Sequence, residues 1–211
     1  MTPSRVVIVG ASLAGLRTAE ALRKRGYAGA LTLVGDELHK PYDRPPLSKQ
    51  VLSGEWEADK VFFRRQEGYE PLALELVLGQ RARSVDPLAR QVTLADQRVL
   101  EYDALVIATG AKPRMLPGAV GLAGVFTLRT LDDALAIKAA LVAKPRVAII
   151  GAGFIGLEVA ASCRKLGLPV TVVETLSTPL SPLLGDAVGR AIARMHADHG
   201  VTLFQLMKPF K

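Results

Sequence analysis

VVIVGASLAG, residues 6–15, returns as VAIIGAGFIG at residues 147–156. Each stretch is a run of β-branched apolar residues, then a glycine turn, then residues at helical spacing. Gly10, Gly15 and Gly26 correspond to Gly151, Gly156 and Gly167 at one constant offset. A short β-branched run that stops at a glycine reads as a buried parallel strand. Leu13, Leu16, Ala19 and Leu22 then recur at helical spacing, and Gly26 stands where a left-handed glycine ends a helix. Residues 31–34 supply the next strand, which completes one βαβ unit. Residues 147–150, the helix up to Gly167 and residues 170–173 make the second.

A strand that turns on glycines into a helix has a physical use. Free N–H groups and the helix dipole favour negative charge at the helix N-terminus, and glycines let a pyrophosphate approach the backbone. An acidic residue about 20 positions further on accepts hydrogen bonds from a ribose. The second copy has every element: Gly151, Gly153 and Gly156 around Phe154 and Ile155, with Glu174 ending the next strand. A carboxylate there repels a 2′-phosphate, so NADH is expected over NADPH. The first copy runs Gly10, Ala11, Ser12, Ala14, Gly15, with Ser12 replacing the middle glycine and restricting backbone approach slightly. Asp36 stands at its ribose position, with Glu37 behind it. A single such turn is compatible with a turn that binds nothing. Two in one chain point to two dinucleotides and to electron transfer between them.

Between the repeats, residues 38–56 are rich in proline and charge and form a long structured connection, the kind that tends to be functional. Residues 76–78, 91–94 and a run near Val99 read as short antiparallel strands, an insertion over 76–100. Residues 104–108 read as a buried strand ending at Thr109 and Gly110. Pro113, Pro117 and Gly118 mark a linker, so domains are expected at 1–112 and 113–211. Helices are expected at 131–143 and around Val188, Ala191, Ile192 and Met195, with a further strand at 201–204. The fold class is α/β, with two Rossmann-like three-layer domains. The second is expected to be incomplete, because LFQLMKPFK ends the chain before a Rossmann sheet has its strands. A genuine C-terminus, a truncation and a change of reading frame each produce such an ending.

Composition narrows the function classes. Hydrophobic residues make up 49% of 211, a globular composition, and no apolar run approaches the roughly 20 residues needed to span a bilayer. The start, MTPSRVVIVG, lacks the features of a secretory signal, and a cytoplasmic location is the default. The net charge of +7 is spread over scattered residues such as Arg23, Lys24, Arg81 and Arg83. Without a basic block or a nucleic-acid reading element it argues against nucleic acid and leaves a solvated surface or an acidic protein partner. His39, His196 and His199 lack metal-ligand spacing, so no metal is expected. Cys163 is the only cysteine, which leaves no redox-active pair within these residues.

Three further motifs carry a family resemblance. PYDRPPLSK (41–49), YDALVIATGAKPR (102–114) and VFTLRTLDDA (125–134) resemble the signatures of FAD-dependent ferredoxin reductases of oxygenase systems, the putidaredoxin- and rhodocoxin-reductase-like enzymes. The resemblance runs from residue 5 to about 204 and implies a C-terminally truncated member. It assigns the first loop to FAD and the second to NADH. It implies FAD contacts at Ala14, Asp36 and Ala82, with Ala108, Thr109 and Gly110 closing the site and Arg129 reaching the flavin. Arg44 either steadies its loop or meets a phosphate. By the same resemblance the Lys49 ammonium lies near the flavin N5 edge, where a cation stabilises negative charge on the reduced ring. Glu158, at the repeat position of Arg17, is expected to pair with Lys49 and approach the nicotinamide. The implied reaction carries electrons from NADH through FAD to an acidic ferredoxin-type iron–sulfur protein. The alternatives are a catalytically silent dinucleotide-binding fragment, or a rubredoxin- or nitrite-reductase-type or NADH-oxidase flavoprotein of the same fold.

Overall fold

A computed structural model describes residues 3–64 and 66–205. The reading of the tail beyond Gln205 lies outside the described residues. The chain packs as two compact units. The first comprises the residues up to Asp43 together with Val61–Lys112; the second comprises Arg44–Lys60 and the chain from Pro113 onward.

The first unit is built on a four-stranded parallel sheet. Strand β1 (Arg5–Val9) lies between β2 (Ala30–Val34) and β7 (Ala104–Ile107), and β3 (Leu74–Val77) flanks β2. Helix α1 (Leu13–Lys24) makes the crossover from β1 to β2. The β1 run is apolar throughout because both of its faces are covered. Val6 and Ile8 pack with Ala19, Leu31 and Leu33; Val7 and Val9 pack with Val34, Val77, Val92, Leu94 and Tyr102. The second set includes residues of an antiparallel sheet formed by β4 (Ala82–Asp86), β5 (Gln91–Leu94) and β6 (Val99–Glu101). Fully burying a side chain such as Ile8 contributes about 1.5–3 kcal/mol.

Two details differ from the sequence reading. The strand near Leu76 is β3, and it pairs parallel to β2 instead of belonging to the antiparallel insertion. The antiparallel sheet gains β4, whose residues 83–86 are exposed and so show no apolar alternation. Strand alternation carries no information on direction; the partner across the crossover sets it.

The second unit has a three-stranded parallel sheet in the order β10 (Val201–Gln205), β9 (Val170–Glu174), β8 (Val147–Ile150). Helix α4 (Phe154–Lys165) joins β8 to β9, and α5 (Ser181–Asp198), broken at Gly185, joins β9 to β10. Val170, Val172 and Val201 form one core with Leu157, Ala160 and Cys163 of α4, and Leu141 of α3 (Leu131–Leu141) joins them. Burial pushes the Cys163 thiol up to about 11, which makes it a packing residue.

The sequence reading kept the proline-rich connection with the first domain. In the structure its stretch Arg44–Lys60 packs with the second unit. The reason is local. Leu52 of α2 (Gln50–Ser53) belongs to the second unit's core, and Lys165 of α4 pairs with Glu55 at 2.7 Å.

Candidate functional site

Each unit carries one glycine cradle at the C-terminal ends of its parallel strands, where open α/β sheets bind ligands. In the first unit the Gly10 N–H donates to Val34 O at 2.8 Å, and the Ala108 N–H to Val9 O at 2.7 Å. Gly10 has φ of 123°, and a Cβ on it would stand 2.1 Å from the Ala108 carbonyl oxygen. Only glycine allows this approach, and it brings Gly10 against the backbone of Ala108 and Thr109. A Cβ on Gly15 would stand 2.0 Å from Gly10 O, so this glycine seats α1 on the loop. A Cβ on Gly35 would meet the Ala11 methyl at 2.6 Å, which puts Ala11 beside the end of β2. Ser12 is the N-cap of α1, and Ala14 is exposed in its first turn. Asp36, 58% exposed, faces Arg81 at 3.3 Å, next to Ala82. Arg81 was read only as scattered positive charge; its place before Ala82 was the available signal.

The second cradle repeats the plan with other contacts. Gly151 (φ 100°) donates to Val173 O at 2.8 Å. A Cβ on Gly156 would stand 2.2 Å from Gly151 O, the counterpart of the Gly15 contact. A Cβ on Gly153 would meet nothing within 4 Å, so the space before α4 is open. Phe154 and Ile155 are exposed in the first turn. Glu174 turns inward. It accepts from the N–H groups of Ala152 and Thr175 at 2.6 Å each and of Leu176 at 2.9 Å. Burial raises its pKa, but these backbone donors outweigh burial and hold the carboxyl below its ordinary range.

Helices α1 and α4, which follow glycine turns, begin differently from α3; α5 also has no acid in its first turn but starts at Ser181–Pro182 without a glycine turn. No acidic residue occupies the first turn of α1 or α4. Helix α3 begins with Asp132 and Asp133 and closes its own capping box, Asp133 exchanging hydrogen bonds with Thr130. Its N-terminus is satisfied by the chain itself. Those of α1 and α4 present N–H groups and dipole with no carboxylate in the first turn, as an external anion requires.

Lys49 and Glu158 meet within the second unit. Lys49 Nζ lies 2.8 Å from Glu158 Oε1, and Ser48 Oγ donates to Glu158 Oε2 at 2.5 Å. The two side chains are 40% and 35% exposed. Burial raises the Glu158 pKa; the hydrogen bonds from Lys49 and Ser48 and the Lys49 charge outweigh it and bring the carboxyl below its ordinary range. Ser48 was not singled out in the sequence, although it stands beside Lys49 in the PPLSK motif. Arg44 donates to the carbonyl of Arg129, which joins the connection to the residue before the Thr130 cap. Among the described residues no cluster of His, Cys, Asp or Glu could hold a metal ion. No described helix is long and apolar enough to cross a membrane.

The family described as pyridine nucleotide-disulphide oxidoreductase matches residues 4–206. Rhodocoxin reductase of Rhodococcus erythropolis is 40% identical over 197 residues, 93% of this chain and 46% of that protein. The ferredoxin–NAD(+) reductase component of the p-cumate 2,3-dioxygenase system of Pseudomonas putida is 43% identical over 201 residues, 95% of this chain and 50% of the relative. The crystal structure of the covalent putidaredoxin reductase–putidaredoxin complex superposes with a TM-score of 0.91 at 40% identity, covering 96% of this chain and 49% of the other. The chain spans about half the length of the curated relatives it matches.

Proposed function

The chain belongs to the pyridine nucleotide-disulphide oxidoreductase family, and on that premise we propose that it carries electrons from NADH through FAD to a ferredoxin-type iron–sulfur protein. One observation carries the reading: two glycine cradles in one chain, each with no acid in the first turn of its helix and a carboxylate at or just past the end of the next strand. Relatives near 40% identity named as ferredoxin–NAD(+) reductases and rhodocoxin reductase support the direction of transfer.

The residues fit both groups. The first cradle, with Gly10 pressed on Ala108 and Asp36 exposed at the strand end, holds FAD. The second, with open space at Gly153 and Glu174 at the end of β9, holds NADH. When bound, NADH supplies a hydride and FAD turns that two-electron input into single-electron output. The chain's own residues bind and orient. The N-termini of α1 and α4 hold the pyrophosphates. Glu174, fixed by three backbone donors, accepts from the ribose hydroxyls and repels a 2′-phosphate. Lys49 and Glu158 meet the reacting rings with their charges already paired. Thr109, Gly110 and Ala82 complete the first unit's FAD contacts, and within the second unit Arg44 steadies Arg129. Within these residues the buried Cys163 has no second cysteine, so a cysteine-pair relay is not part of the reading. The net charge of +7 suits an acidic iron–sulfur partner, and we place the reaction in the cytoplasm.

The test is anaerobic. The purified chain is reconstituted with FAD and mixed with NADH, then with ferredoxin. The expected result is visible flavin absorbance that NADH bleaches and ferredoxin restores, with NADPH far slower. A colourless protein after reconstitution contradicts the reading.

A further inference from the structure

Along one face of α4, Glu158, Ser162 and Lys165 follow at helical spacing, and each engages the 44–60 connection. Glu158 receives the side chains of Ser48 and Lys49. Ser162 Oγ donates to the backbone carbonyl of Ser48 at 2.6 Å. Lys165 Nζ donates to Glu55 Oε1 at 2.7 Å. Ser48 is thus gripped at two points by residues one helical turn apart: its hydroxyl by Glu158, its carbonyl by Ser162. Both serines are buried, at 4% and 7% exposure, under an ion pair that is itself partly open to water.

That contrast defines the problem the serines solve. A partly exposed lysine–carboxylate pair is held loosely, because water competes and two long side chains keep their rotamer freedom. A short buried hydroxyl on a fixed backbone has little freedom to lose. With Ser48 holding Oε2 and Lys49 meeting Oε1, the two carboxylate oxygens have different donors and the plane of the group is set. We propose that Ser48 is a positioning residue for the Glu158 carboxylate, and that Ser162 fixes Ser48 in the orientation this needs. The proposal rests on the electron-transfer reading above for its consequence, not for its geometry. The charged groups near this face are Lys49 and Glu55 from the connection, Glu158 and Lys165 from α4, and Lys138 from α3, which reaches toward Gly54. Lys165 is committed to Glu55, so Lys49 is the cation that meets Glu158.

The test uses the whole chain loaded with FAD and reads two quantities. The first is the titration of the Glu158 carboxyl by carbon-13 NMR, assigned by its loss in Glu158→Gln. Its midpoint is expected to move upward in Ser48→Ala, and by less in Ser162→Ala, which keeps the Ser48 hydroxyl but loosens its hold on the carboxylate. The second is stopped-flow reduction of the flavin by NADH. Ser48→Ala is expected to slow the saturated rate about tenfold with the NADH concentration dependence unchanged, because a displaced group costs rate more than binding. An unshifted Glu158 midpoint in folded Ser48→Ala overturns the proposal. If Ser48→Ala does not fold, Ser162→Ala decides by the same sign: an upward shift supports the proposal, no shift overturns it. The two readings separate cleanly. A shifted midpoint in a protein whose wild-type flavin NADH does not reduce upholds the positioning and overturns the electron-transfer reading. Normal flavin reduction with an unshifted midpoint does the reverse.

Discussion

The two glycine loops share a sequence pattern and differ in where the strain and the charge are held. At the first, Gly10 is pressed against the end of the neighbouring strand, and its acidic partner Asp36 stands exposed with Arg81. At the second, Gly151 and Gly153 face open space, and the acidic partner Glu174 is bound to the backbone, including the Ala152 N–H of the loop itself. The first loop is braced by strand β7. The second is braced by its own carboxylate. Duplicated motifs therefore need not be duplicated devices: the common part is the strand–turn–helix geometry, and the distinct part is what each loop touches.

The largest effect that could break this comparison is at Gly10. Gly10→Ala drives a methyl into backbone 2.1 Å away at a positive φ and should cost about 4 kcal/mol, with loss of flavin retention. Gly153→Ala meets nothing within 4 Å and should change stability by less than about 0.5 kcal/mol. Denaturant melts of the two variants check the contrast; equal losses would show the loops to be equivalent after all.

Next in size is the acidic residue. Glu174→Ala leaves three backbone donors without their acceptor and should cost about 1–2 kcal/mol, water replacing part of the loss. Because the folded pKa of Glu174 is depressed, its stabilisation is complete above the ordinary carboxylate value of 4.5 and is lost as pH falls through the depressed value. Glu174→Gln should flatten that acid dependence in pH-resolved melts. Asp36→Asn removes one side of an exposed ion pair and should cost less than about 1 kcal/mol. Equal costs at the two positions would erase the distinction between braced loop and braced carboxylate. Smallest in stability is Glu158→Gln, a partly exposed partner, whose effect should fall instead on the rate of flavin reduction by NADH. An unchanged rate would remove Glu158 from the reacting site.

The strand–turn–helix of both loops could be read in the sequence because what specifies it is local. The β-branched run, the glycines and the helical spacing lie within one βαβ unit, and Gly26 and Gly167 do take positive φ at the helix ends. The Lys49–Glu158 contact was expected only through the family resemblance, since more than a hundred residues separate the two. What sequence could not convey depends on partners far along the chain. Nothing in PPLSKQVLSGE announces that Leu52 joins the core of α4 or that Glu55 meets Lys165. Leu74–Val77 carries no mark of parallel pairing, and Ala82–Asp86 shows mostly exposed residues. Ser48 and Ser162 are small polar residues whose role exists only once the connection and α4 are in contact.

The central claim is that the second loop takes NADH and the first takes FAD, and Gly153→Asp tests it most directly. Gly153 is the N-cap of α4 with open space before it, so aspartate fits and caps the helix while placing negative charge where a pyrophosphate must sit. Reconstituted with FAD and mixed anaerobically with NADH, this variant should keep its visible flavin absorbance and no longer bleach. Bleaching at the wild-type rate, or loss of the flavin itself, would contradict the assignment.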